Sequence, residues 1–117
     1  MDAKVVRSTD TDTKQKDWGS IQWLVSSDNA ASDSLSLGRI TIAPGGSLPA
    51  HQHPNCEEVF YVISGQVEHT LPQGGSVTLN AGDSIVLPAG GAHEATNCGD
   101  VEAVAIAVFD SADRETA

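Results

Sequence analysis

The chain has 117 residues, room for one hydrophobic core and not for two. Apolar residues make up 39%, but no apolar run approaches the roughly 20 residues of a membrane-spanning helix, and Met1-Asp2-Ala3-Lys4-Val5-Val6-Arg7 lacks the apolar stretch of a secretory signal, so a cytoplasmic protein is expected. Sixteen acids against six bases give a net charge of −10, which repels phosphate backbones and anionic lipid and argues against nucleic acid and membrane as partners.

Residues 1–17 are Asp, Thr, Lys and Gln with almost no apolar periodicity, and read as an arm, either flexible or exchanged with a partner subunit. From residue 18 the pattern becomes short runs of Val, Ile, Leu and Thr closed by Gly, Pro, Asn or Asp, the signature of an all-β sandwich or barrel. Strands are predicted at 20–25 and 35–43, separated by the polar loop 26–34 and followed by the tight turn Pro44-Gly45-Gly46. A strand at 59–64 ends at Gly65. The runs 66–71 and 76–80 flank Pro72-Gln73-Gly74-Gly75 and predict a hairpin. Residues 84–87 form a short strand before Pro88-Ala89-Gly90-Gly91. The run 101–109 alternates Val and Ile with Ala, and its strand context outweighs the helical preference of its alanines. One barrel domain is expected over 18–110, with 111–117 as a tail.

The bases are Lys4, Arg7, Lys14, Lys16, Arg39 and Arg114, so Ile40 to Asp113 holds none. A pocket built from that stretch would have Arg39 alone as a fixed cation. Cys56 and Cys98 match no zinc, haem or redox-dithiol spacing and are expected to be reduced thiols.

His51-Gln52-His53, Glu58 and His93 carry the chemistry. In an extended segment residues two apart share a side, so His51 and His53 can present two imidazoles together. Glu58 opens the next strand and His93 a later one. Three imidazoles and a carboxylate suit a divalent transition metal, with manganese, iron, nickel, copper and zinc undistinguished, and calcium disfavoured. Phe60 and Val62 share the face of Glu58 while Tyr61 points oppositely, which makes Phe60 a candidate pocket wall. His69 is expected at the surface or behind the ligands. Trp18 and Trp23 are expected in the core or at a dimer interface.

These residues resemble the cupin superfamily over both of its motifs. Gly45, His51, His53, Glu58 and Gly65 fill the first; Gly82, Pro88, Gly90, His93 and Asn97 fill the second. The six-residue gap before Gly65 selects Glu58 over Glu57. The resemblance implies a double-stranded β-helix, or jelly-roll, barrel; a metal held by His51, His53, Glu58 and His93; and a homodimer paired through its sheets and N-terminal strand. Asn97 is expected to secure a turn rather than the ion.

Fold does not select among the dioxygenases, decarboxylases, isomerases, lyases and binding proteins of this superfamily. With Arg39 as the sole cation, phosphosugars, thiol substrates and oxalate are disfavoured, and a small neutral or metal-chelating organic molecule is expected. A metal-dependent enzyme, a dioxygenase ahead of an isomerase or lyase, is the first reading, and a non-catalytic metal and metabolite module the second. Glu57, Glu68 and Glu94 are unranked candidates for a general base.

Overall fold

The computed structural model describes residues 2–117. Ten strands form two antiparallel sheets: Thr13–Lys16 (β1), Gly19–Val25 (β2), Ser36–Ile42 (β3), Ser47–His51 (β4), Glu58–Ser64 (β5), Gln66–Thr70 (β6), Ser76–Asn80 (β7), Ser84–Leu87 (β8), His93–Asn97 (β9) and Ala103–Phe109 (β10). The larger sheet runs β1-β2-β3-β10-β5-β8 and the smaller β4-β9-β6-β7. The chain is all-β, as its alternating runs predict. Its sole helical segment among the described residues is one 3₁₀ turn, Ser27–Asn29, within the predicted polar loop. Ser26 and Asn29 cap it reciprocally, which gives that short turn its hydrogen bonds.

The core lies between the sheets and follows from strand parity. Ile40 and Ile42 of β3, Phe60 and Val62 of β5, and Ala103, Ala105, Ala107 and Phe109 of β10 alternate inward. The alanines of β10 are small because that central strand faces Val62 and Phe60 on one neighbour and Ile42 and Ile40 on the other. Gly65 turns β5 into β6 at φ +82°, and a Cβ there would stand 2.7 Å from the Ala103 Cα, so both backbone angle and space demand glycine.

Two elements differ from expectation. Ser47–His51 pairs with β9 although it contains Pro49; β4 is an edge strand, where a missing amide hydrogen is tolerated. Within the expected N-terminal arm, β1 pairs with β2 of its own chain, Lys14 opposite Ile21 and Lys16 opposite Gly19. The 66–80 hairpin and the strand assignment of β10 agree with the sequence pattern. No helix among the described residues is long and apolar enough to cross a membrane.

Candidate metal centre

The four predicted ligands converge at the seam between the sheets. His51 ends β4 and stands opposite His93, which opens β9 in the same small sheet. His53 lies two residues beyond the end of β4, and Glu58 opens β5 in the large sheet with its side chain inward. Ring centroids are 4.4 Å apart for His51 and His93 and 4.9 Å apart for His51 and His53. Glu58 Oε1 is 3.3 Å from both His53 Nε2 and His93 Nε2. One donor atom from each of the four residues lies within 4.8 Å of the others.

The backbone sets the direction of each imidazole. Nδ1 of His51 is 2.7 Å from the Pro49 carbonyl, that of His93 is 2.8 Å from the Gly91 carbonyl, and that of His53 is 2.9 Å from the Glu115 carbonyl. A carbonyl only accepts, so Nδ1 is the donor in each ring and Nε2 is left to face the cluster. Glu58 Oε1 and His93 Nε2 are fully enclosed and lack a hydrogen-bond partner. Buried polar atoms without partners are costly, and a cation between them would satisfy both. Burial pushes the Glu58 carboxyl up, but the attraction of His53 and His93 outweighs it and brings the group down to about 2. For His93, burial lowers the imidazole and Glu58 more than restores it, leaving it raised. Burial dominates at His51, which is lowered.

A cavity of about 410 Å³ opens beside His51, His53 and Glu58. Its apolar walls include Trp18, Ile21, Trp23 and Leu48. Trp23 lies flat over Gly38, where a Cβ would come within 2.7 Å of the indole. Arg114 covers Trp23 with its guanidinium 3.4 Å from the ring centroid, and the Phe109 ring tilts against the indole at 5.8 Å. Residues 113–117 run along this side of the barrel. The backbones of Ala117 and Gln52 exchange two hydrogen bonds, and Asn55 is tied to the Asp113 carbonyl and the Glu115 amide.

The family model described as "Cupin domain" matches residues 38–109. The chain belongs to the cupin family. Germin-like protein 3-8 of Oryza sativa subsp. japonica is 37% identical over 81 residues, which cover 66% of this chain and 36% of the relative. Auxin-binding protein ABP19b of Prunus persica is also 37% identical over 81 residues, covering 66% and 39%. Thus this cupin spans little more than a third of the length of these curated relatives. Among solved structures, the oxalate decarboxylase formate complex of Lactobacillus farciminis superposes with a TM-score of 0.85 at 23% identity, covering 93% of this chain and 33% of that one. An uncharacterized double-stranded β-helix protein from Klebsiella pneumoniae gives 0.69 at 26% identity, covering 74% and 70%.

Around the cupin motifs the structure corrects several expectations. Arg39 faces outward on β3, because its neighbours Gly38 and Ile40 take the inward positions. Lys14, Lys16 and Arg114 line the cavity instead. The premise for a neutral substrate, that Arg39 is the sole available cation, therefore fails: the flanking segments fold back onto the site. Glu57 and Glu68 are exposed and Glu94 lies on the outer side of β9; Glu58 is the one acid lining the cavity. Phe60 sits deeper, in the core against His69, and Phe109 forms the pocket wall. Of the two places expected for His69, at the surface or behind the ligands, the structure shows the second: it is 1% exposed, stacks on His93 with centroids 5.3 Å apart, and is lowered chiefly by burial. Trp18 and Trp23 pack on the core, as expected, and also face the cavity. Asn97 bonds the Ile42 and Val101 carbonyls and accepts from the Gly99 amide, a turn-holding role that agrees with the sequence. Cys56 is buried outside the four-residue cluster and Cys98 is exposed; both are free thiols. The inward placement of Trp23 was legible from its parity with Ile21, whereas nothing local in the sequence marks Arg114.

Proposed function

We propose that this cupin is a metal-dependent enzyme that acts on a small, metal-chelating organic molecule, with oxygenase-type chemistry ahead of isomerase or lyase chemistry. The unpartnered, enclosed Glu58 Oε1 and His93 Nε2 carry this reading. A manganese, iron, nickel, copper or zinc ion held by His51, His53, Glu58 and His93 would supply Lewis acidity and, where redox-active, electron transfer. His51, His53 and Glu58 border the cavity while His93 backs them, so the open side of the cluster faces the space a substrate can enter. Trp18, Ile21 and Leu48 would exclude water there. A relative at 37% identity, auxin-binding protein ABP19b, supports a small organic ligand.

The one acid that lines the cavity, Glu58, belongs to the candidate ligand cluster and leaves no free carboxylate there as a general base, which favours a second reading: a non-catalytic module that holds metal and metabolite. Elemental analysis of the tag-free protein beside a His51→Ala, His93→Ala variant tests the centre. Near-stoichiometric metal that disappears in the variant supports it, and no metal in either after reconstitution refutes it. Dioxygen uptake with diketones or catechols then favours the oxygenase, and saturable binding without turnover the module.

A homodimer is part of the proposal. Val59 and Tyr61 of β5 and Val86 of β8 are 38%, 45% and 56% exposed on one outer sheet face, with Val59 paired to Val86. A contiguous apolar face of this kind is suited to a second copy.

A further inference from the structure

We propose that the cavity binds an organic anion, its charged end held by Lys14, Lys16 and Arg114 and its flat apolar body lying along Trp18, Trp23 and Leu48. The inference deepens the proposed function and rests on the cavity being the substrate site.

The charge distribution carries it. The chain has sixteen acids and six bases, yet three of those bases and one acid line this cavity. That acid, Glu58, belongs to the ligand cluster. Strand register puts the lysines there: Lys14 stands opposite Ile21 in the β1–β2 pair, and Lys16 is two residues on, so both share the face of Ile21 and Trp23. The same register explains why Arg39, opposite Gln22, is excluded. Arg114 comes from the other end of the chain and is seated on an indole that Gly38 lets lie flat. Among the described residues the ion-pair contacts are those of Glu58 with His53 and His93, so none of the three cations is in direct contact with a carboxylate, although Glu58, Asp28 and Asp113 stand close enough to act on the charge of Arg114 and Asp10, Asp12 and Asp28 line a neighbouring pocket with Lys14.

Position separates this anion site from the metal ligands. β1 is the edge of the large sheet, with β2, β3 and β10 between it and β5, which carries Glu58. A ligand held by the lysines at one side can therefore extend its other end towards His51 and Glu58. Moreover, Lys14, Lys16, Trp18, Trp23 and Arg114 all lie outside residues 38–109, the part matched by the family model. The cluster is a property of the cupin domain, and the cations are a property of this chain's flanks.

The test is calorimetric titration of the metal-reconstituted full chain with 2-naphthoate, 2-naphthyl phosphate and the neutral 2-naphthamide. The anions should bind about tenfold or more tightly than the amide. That preference should shrink with added salt, fall about tenfold in Lys14→Gln/Lys16→Gln and in Arg114→Gln, and survive in Arg39→Gln. Arg114→Lys should recover part of it. Stronger binding of naphthoate or of naphthyl phosphate identifies a carboxylate or a phosphate ligand, and either supports the proposal. Equal affinity for naphthoate and naphthamide, no binding of any probe, or an equal loss in Arg39→Gln overturns it. The lysine variant alters only exposed edge-strand side chains, so it remains informative if Arg114→Gln is poorly folded. Metal content measured on the same samples separates the two readings. Metal without anion preference sinks this inference alone, and anion preference in a protein that takes up no metal sinks the metal enzyme alone.

Discussion

Removing residues 115–117 should weaken metal binding far more than it weakens the fold. The deletion takes away the Glu115 carbonyl that accepts from His53 Nδ1, the Thr116 hydroxyl 3.3 Å from the same nitrogen, the Glu115 amide bond to Asn55 Oδ1, and both backbone bonds between Gln52 and Ala117. Five such contacts at an exposed edge contribute at the low end of the usual range, about 0.5 kcal/mol each, or about 2.5 kcal/mol gross. Ordering three residues costs about 1–2 kcal/mol apiece in backbone entropy, or about 3–6 kcal/mol, which more than offsets that gain. The metal-free protein should thus lose little or no stability in urea unfolding. His53, however, loses the acceptor that fixes its tautomer and ring direction. Loss of such an outer partner typically reduces metal affinity about 10–100-fold. Competition against a chelator of known affinity, run on the full and shortened chains, measures this directly. Unchanged affinity would refute the positioning role of this segment, and a parallel collapse of stability would show that it is part of the core scaffold instead.

Gly38→Ala should cost about 1–3 kcal/mol, the usual range for overpacking, because its Cβ would press on Trp23. A blue or red shift of tryptophan emission should accompany the loss in a thermal melt, and an unaltered melt and spectrum would contradict the flat seating of the indole. Acidification should release the metal. Glu58, at about 2, stays ionised, so the protons that compete are those of the imidazoles, and affinity falls as pH drops through the imidazole range around 6.5. His93, raised in the metal-free chain, accepts a proton first and His51, lowered, resists it longer. Metal retention that is flat between about pH 7.5 and 5 would count against imidazole ligation. Finally, Val86→Glu should convert a dimer to a monomer in sedimentation at micromolar concentration without loss of metal; a monomeric wild type would remove the dimer proposal.

Much of this arrangement is legible in the sequence because it obeys local rules. Parity along β5 placed Glu58, Phe60 and Val62 on one face, and the glycine-punctuated runs marked most strand ends. The candidate ligand set is visible because its members sit at fixed distances from those turns, and the structure brings all four together. The cations were not visible, for a physical reason. Lys14 and Lys16 lie in a polar segment whose face is set only when β1 finds β2, and Arg114 follows the last strand and is placed by stacking on a residue 91 positions earlier. Likewise β4 is absent from the predicted strands, and its Pro49, which lacks a ladder donor, is tolerated because the strand is an edge. Phe60 was assigned to the right face but at the wrong depth; parity fixes a side of the sheet and says nothing of position along the barrel axis.

The three imidazole protons are all assigned to main-chain oxygens, those of Pro49, Gly91 and Glu115. Every residue type owns a carbonyl, so the identity of residue 115 is free to drift without disturbing the ring it steadies. Position 91 has no such latitude, since a Cβ there would stand 2.9 Å from the Pro72 ring. The orientation of the centre is therefore inherited through chain path rather than through side-chain identity. Two cupins could share it while differing at residue 115, with position 91 still held to glycine by the room its neighbours leave.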